Sequence, residues 1–329
     1  MGACKRQIVV RTNETGLVMQ EIMAEVDYKQ DIQQEFQRLL KNAELDEPGD
    51  EDFIRKAFEY AWEGHADVKR NSGEPYILHP LSVARIVSEE MKLDTLTIVA
   101  ALLHDVLEDV EDATEEEMSR LFGNRVTEIV KGLTKIRDKE LVRDRTIRTS
   151  KQASNYINLF STLNTDVRVF YVKIADRLHN MRTLDGMREN KQIEKSAEVE
   201  LVYAPLAHRL GMHNIRTELR DTSFWYLQRS AYNEVKAKLS IYREEYDLIL
   251  SDLAKRFENY FLPGEISEIK TYVRPISSIW NHMREEKVPP TEVRNLLSIR
   301  IITKNQDTVR ADKAKIREIS GRLDDHFHF

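Results

Sequence analysis

The sequence predicts a mainly α-helical protein, and three observations carry that prediction. Gly (11) and Pro (8) are sparse among 329 residues. Apolar residues recur at helical spacing over most of the chain. The strand-like segments, "EISEIKTYV" (265–273) and "LLSIRIIT" (296–303), are short, β-branched and late, after Pro263-Gly264. The expected architecture is a helical domain, then a helical linker, then an incomplete α/β region.

Taken in order, residues 18–43 read as a helical lead-in, closed by the acidic break "ELDEPGDED" (44–52). From about Asp52 to about Tyr226, short turns separate a series of helices. In "ATEEEMSRLFGN" (113–124), Thr114 and Glu117 have capping-box spacing and Gly123 is a stop signal. A charged helical stretch covers 230–261. Residues after Thr303 are charged and helix-like, with little apolar material to complete a sheet. The expected divisions are a lead-in at 1–48, a helical domain at 49–200, a linker at 201–245 and the α/β-like remainder at 246–329.

Composition narrows the function. The hydrophobic fraction of 41% and charged fraction of 32% are those of an ordinary globular protein. A net charge of −6 without a long basic run argues against a dedicated nucleic-acid binder, although a local Lys/Arg cluster would suffice for a phosphorylated small molecule. The single cysteine, Cys4, excludes an intrachain disulfide and fits a reducing compartment. No apolar run approaches a membrane span, and the start "MGACKRQIVV" lacks both a secretory core and the Ser or Thr of a myristoylation signal. The expectation is a cytoplasmic protein.

Three segments can carry chemistry. In "ALLHDVLEDV" (101–110), a helix of about 100° per residue puts Leu102, Leu103, Val106, Leu107 and Val110 on one stripe. His104, Asp105, Glu108 and Asp109 fall on the other. Three carboxylates so close repel one another by about a few tenths of a kcal/mol per pair. Either that side faces water or a cation holds it together.

In "KRNSGEPYILHP" (69–80), Pro80 marks a helix start, so His79 sits at a helix N-terminus, where the dipole disfavours imidazolium. In "VKIADRLHNMRTL" (172–184), Asp176, Asn180 and Thr183 share a face within an apolar helix, and His179 falls off it. Asp176 needs a partner there, Arg177, Lys173 or a cation. Jointly, His79, His104, Asp105 and Asp176 make a mixed N/O set suited to a divalent ion such as Mn²⁺. Glu108 and Asp109 are left for proton transfer. The Arg-rich stretch 141–151 reads as a solvated loop, and "YAPLAHRLG" (203–211) as core packing around Pro205.

These segments, with "YAPLAHRLG", resemble the N-terminal hydrolase domain of the RelA/SpoT-homologue enzymes, part of the HD metal-phosphohydrolase superfamily, which make and destroy (p)ppGpp in bacteria. The resemblance runs from about residue 50 to residue 302. It implies Mn²⁺ held by His79, His104, Asp105 and Asp176, catalytic carboxylates at Glu108 and Asp109, and substrate contacts from Arg70, Ser72, Tyr76, Asn180 and Thr183. The implied reaction is hydrolysis of the 3′-pyrophosphate of (p)ppGpp to GDP or GTP and pyrophosphate.

Two departures stand out. Asn71 replaces a second basic residue beside Arg70. In the synthetase-like part, "VRPISSIWNHM" (273–283) lacks two positions of that domain's first motif, and Asn295 stands where a magnesium-binding Asp is usual. The expectation is a hydrolase without synthetase activity. Two alternatives stay open: an HD phosphohydrolase acting on another nucleotide, and a regulatory partner that associates through 230–261. The oligomeric state is open too.

Overall fold

The computed structural model describes residues 14–70, 73–142, 166–304 and 309–327, which divide into two units, Met1–Ser223 and Phe224–Phe329. As the sequence predicts, the chain is mainly helical, with a small sheet in its C-terminal part.

In the first unit, α1 (Glu14–Asn42) buries Ile32, Phe36, Leu39 and Leu40, and α2 (Asp50–Gly64) buries Ile54, Ala57, Phe58 and Ala61. Both sets follow helical spacing. Phe36 stacks on Phe58 with ring centroids 4.0 Å apart. The acidic break between the helices is a turn in which the Asp50 carboxylate accepts from the backbone N–H groups of Asp46 and Glu47, each at 3.1 Å.

Next come α3 (Leu78–Arg85), which runs into a π turn at Ile86–Glu90, and α4 (Thr95–Leu102). Nearly all of α4, from Thr97 to Leu102, is buried. A helix apolar all round belongs in a core, and α4 packs against α2, α3, α6 (Glu115–Val142) and α7 (Arg168–Arg182). Between α4 and α6 lies the short α5 (Val106–Asp109). Thr114 caps α6, its Oγ1 accepting from the Glu117 N–H at 3.2 Å, and Gly123 breaks that helix at φ 84°, ψ 158°, where a side chain is rarely tolerated. The unit continues through α8 (Glu189–Glu198), a π turn at Val199–Tyr203 and α9 (Ala204–Arg209), and ends at Ser223 within α10 (His213–Leu227). In "YAPLAHRLG", Tyr203, Ala204, Leu206 and Ala207 are buried and His208 is exposed.

Asp94 caps α4, its Oδ1 accepting from the Thr97 N–H at 3.0 Å, while Arg168 at the start of α7 donates to its Oδ2 at 2.6 Å. Burial pushes the Asp94 carboxyl up, but the hydrogen bonds from Arg168 and Thr97 outweigh it and hold the group below its ordinary range. A depressed folded-state pKa stabilises above the unfolded value near 4 and loses that contribution as pH falls through the folded one. Asp94→Ala is therefore expected to cost about 1–2 kcal/mol at neutral pH, read by urea unfolding. A deficit as large at pH 3 as at pH 7 would rule out the ionic part of this account.

In the second unit, the charged helical stretch expected over 230–261 consists of two helices, α11 (Arg229–Ser240) and α12 (Arg243–Tyr260). They serve different cores. Val235 packs with Ile279 and Val293, whereas Phe257 packs with Phe261 and Ile319. The strands β1 (Ile266–Val273) and β2 (Leu297–Thr303) pair antiparallel, from Ile266 opposite Thr303 to Val273 opposite Leu297. Between them lies α13 (Ile276–Glu286), and after them α14 (Val309–Phe327). Charged as it is, α14 finds a partner: Ile319 enters the Phe257 cluster, and Arg322 grips Glu265 with two bonds of 2.7 and 2.9 Å.

Candidate metal centre

The segment 101–110 is not the continuous helix its periodicity predicts. α4 stops at Leu102, the chain turns through Leu103, His104 and Asp105, and α5 begins at Val106. The turn is tied by the Val106 N–H donating to the Leu103 carbonyl at 3.0 Å and by the His104 ring bonded to the Ala101 carbonyl at 2.8 Å. The break matters for the site. It places His104 and Asp105 where the buried core ends, both facing His79 on α3.

The atoms that can hold an ion converge there. One donor atom each from His79, His104 and Asp105 lies within 4.8 Å of the others. His104 Nε2 is 3.0 Å, and His79 Nε2 3.7 Å, from Asp105 Oδ2. Asp176 on α7 stands beside the trio, its Oδ1 3.4 Å from His79 Nε2. Both partners anticipated for Asp176 are also present, with Lys173 Nζ and Arg177 Nη1 each 3.8 Å from its Oδ2, and Asn180 Nδ2 donates to its Oδ1 at 2.6 Å.

The protons at this cluster test whether an ion fits. A carbonyl only accepts, so His104 Nδ1 carries the hydrogen of its bond to Ala101. In the neutral ring, Nε2 is then a buried lone pair, and it has no hydrogen-bond partner among the described residues. It faces a carboxylate oxygen at 3.0 Å. Two acceptors at that distance repel unless a proton or a cation sits with them. Burial pulls the His104 pKa down, but the Asp105 and Asp176 carboxylates push it up to about 9, so without an ion the ring takes the proton.

Burial lowers the pKa of His79, which keeps that ring neutral. Burial raises the Asp105 and Asp176 carboxyls, but His104 on the first and His79, Lys173 and Arg177 on the second hold both low and ionised. With a cation in place of the His104 proton, these two imidazoles and two carboxylates make a donor set for a hard or borderline divalent ion.

Around these four, Tyr76 donates its hydroxyl to Asp105 Oδ2 at 2.5 Å, and the His65 ring stacks on the phenol at 4.8 Å. Burial and the Asp105 charge raise the phenol's pKa well above the tyrosine range, so it remains a donor. Glu108 is half-buried and Asp109 exposed, both on α5 one turn beyond Asp105. Arg70 lies in a tight loop closed by the bridge between Lys69 and Pro75, and its Nη2 donates to Asn180 Oδ1 at 3.1 Å. Thr183, at the end of α7, bonds through its hydroxyl to the His179 carbonyl at 3.1 Å. Ser72 and Asn71 lie outside the described residues, as does most of the 141–151 stretch.

One residue at the centre escaped the sequence reading. His179 Nδ1 is 2.8 Å from His79 Nδ1, and burial and the neighbouring His79 drive its pKa down to about 3. It stands three residues after Asp176. Following the face by i+4 and i+7 steps passed over it, although i+3 neighbours on a helix also meet.

Residues 57–213 match the family described as HD domain. The chain is 40% identical over 261 residues to the GTP pyrophosphokinase of Myxococcus xanthus, which spans 77% of this chain and 33% of that protein. It is 38% identical over 285 residues to the guanosine-3′,5′-bis(diphosphate) 3′-pyrophosphohydrolase of Aquifex aeolicus, covering 85% and 38%. It is also 38% identical over 259 residues to the bifunctional (p)ppGpp synthase/hydrolase SpoT of Escherichia coli, covering 78% and 36%. The chain thus spans little more than a third of the length of these curated relatives. With the HD match lying over the convergent His and Asp residues, the chain belongs to the RelA/SpoT-homologue family and carries that family's HD domain.

Proposed function

We propose that this chain hydrolyses the 3′-pyrophosphate of (p)ppGpp, giving GDP or GTP and pyrophosphate, with Mn²⁺ as cofactor and in the cytoplasm. The observation that carries the reading is the convergence of His79, His104 and Asp105 with Asp176 alongside, above all the buried His104 Nε2 placed 3.0 Å from a carboxylate oxygen. The names of the relatives from Aquifex aeolicus and Escherichia coli support the choice of substrate. Among the described residues, no helix is long and apolar enough to cross a membrane.

In this reading His79, His104, Asp105 and Asp176 hold the ion. When bound, it supplies a Lewis acid for the phosphoryl oxygen and lowers the pKa of a water. Tyr76 fixes the Asp105 carboxylate through its 2.5 Å bond. Glu108 and Asp109 orient the attacking water and take its proton, a role suited to carboxylates close to solvent. Arg70, with Ser72, Asn180 and Thr183, binds the nucleotide, Arg70 already aimed by its bond to Asn180. Asn71 favours one alternative, an HD phosphohydrolase that accepts another nucleotide, because the base-binding loop has one cation fewer.

The test is pyrophosphate release from ppGpp, pppGpp and a panel of other nucleotides, with and without Mn²⁺. Release from ppGpp or pppGpp that depends on Mn²⁺ and exceeds the rest of the panel is expected; equal rates across the panel would sink the substrate assignment. In the same reading the chain makes no (p)ppGpp from ATP and GTP. Asn295 has a left-handed backbone at φ 55°, which Asn and Asp both tolerate, just before β2. Asn295→Asp therefore fits the backbone, yet one restored carboxylate is not expected to rescue synthesis. With hydrolysis silenced by Glu108→Gln, product accumulation from ATP, GTP and Mg²⁺ above a no-enzyme control would overturn this point.

A further inference from the structure

We infer that His179 is a positioning residue that holds His79 in its metal-binding tautomer by accepting the proton on His79 Nδ1. The two Nδ1 atoms are 2.8 Å apart, a hydrogen-bond distance, and such a bond between two neutral imidazoles contains one proton. That proton has two possible owners. If it belongs to His179, His79 carries its own hydrogen on Nε2, points that hydrogen at Asp176 and Asp105, and cannot bind a cation. If it belongs to His79, His79 Nε2 is a lone pair aimed into the cluster, 3.4 Å from Asp176 Oδ1 and 3.7 Å from Asp105 Oδ2. The second arrangement alone makes His79 a ligand.

Metal-binding histidines generally have their other nitrogen held by a carboxylate or a backbone carbonyl. Here the acceptor is a second imidazole, with the ring centroids 4.9 Å apart. It comes from the same helix as Asp176, one turn further on. A single rigid element thereby carries one proposed ligand and the support of another, so the spacing between α3 and α7 sets both. The inference rests on the proposed metal site and adds a residue to it.

The test uses substitutions that separate acceptor position from bulk. The Oδ1 of Asn occupies nearly the place of His Nδ1, whereas the Oε1 of Gln lies one bond further out. Mn²⁺ titration of the metal-stripped chain, followed by the electron paramagnetic resonance of the free ion, is expected to show about a ten- to hundred-fold loss of affinity in His179→Leu and His179→Gln. His179→Asn should recover most of it. Leu within three-fold of wild type, or Asn as weak as Leu, would overturn the inference while leaving the metal site standing. No Mn²⁺ binding by the wild type would remove the metal site itself, and the inference with it. A second measurement needs no variant. In ¹⁵N-labelled wild type loaded with diamagnetic Zn²⁺, a scalar coupling across the bond between the two Nδ1 nuclei, with the proton on His79, is expected. A proton on His179 or no coupling would overturn the inference even if the variants fail to fold.

Discussion

His104→Ala is expected to abolish tight Mn²⁺ binding and measurable hydrolysis of (p)ppGpp, and Asp176→Ala to do the same. Each removes one of four proposed donors, and the consequences differ in detail. Without the His104 ring, Asp105 loses the partner 3.0 Å away that holds its carboxyl ionised. Without the Asp176 carboxylate, Lys173 and Arg177 keep their charges at the edge of the site with less to balance them. Removing one member of a buried ionic cluster is destabilising. Each variant is therefore to be compared with wild type by thermal melt before metal is counted. A folded variant with Mn²⁺ at wild-type stoichiometry would show that the ligand set is wrong.

The second large effect concerns turnover with the metal retained. Glu108→Gln and Asp109→Asn are each expected to bind Mn²⁺ as wild type does and to lose about 10²–10⁴-fold in rate, the usual contribution of a positioned acid–base group. Amides keep the size and hydrogen bonding of the carboxylates but take no proton. Glu108 is half-buried and Asp109 exposed, so neither change disturbs the core. Turnover within a few-fold of wild type in both variants would remove these residues from the mechanism.

How much of this was legible in the sequence differs from element to element. The helical body was, because Ile54, Ala57, Phe58 and Ala61 recur at the helical period and are buried together. So were both strands, the Thr114 cap and the Gly123 break, since each rests on local chemistry. The break at Leu103 to Asp105 was not. Periodicity runs straight through it, and neither Gly nor Pro marks the turn. The split of 230–261 was hidden likewise, since neither Gly nor Pro marks it. At the site, His79, His104 and Asp105, all named from the sequence, lie close together. The bond between His179 and His79, residues 100 positions apart, was not among the expected contacts.

The Asn180 amide has a consequence for energy rather than position. Its oxygen accepts from Arg70 and its nitrogen donates to Asp176. The two ends are not interchangeable, because a guanidinium only donates and an ionised carboxylate only accepts. A group that competes for the Arg70 guanidinium loosens the amide, and with it a donor to Asp176; a cation that takes up the Asp176 charge weakens the amide's hold from the other side. In the proposed site, occupancy at Arg70 and occupancy at Asp176 are thus expected to be thermodynamically linked. Whatever factor the first imposes on the second, the second returns to the first.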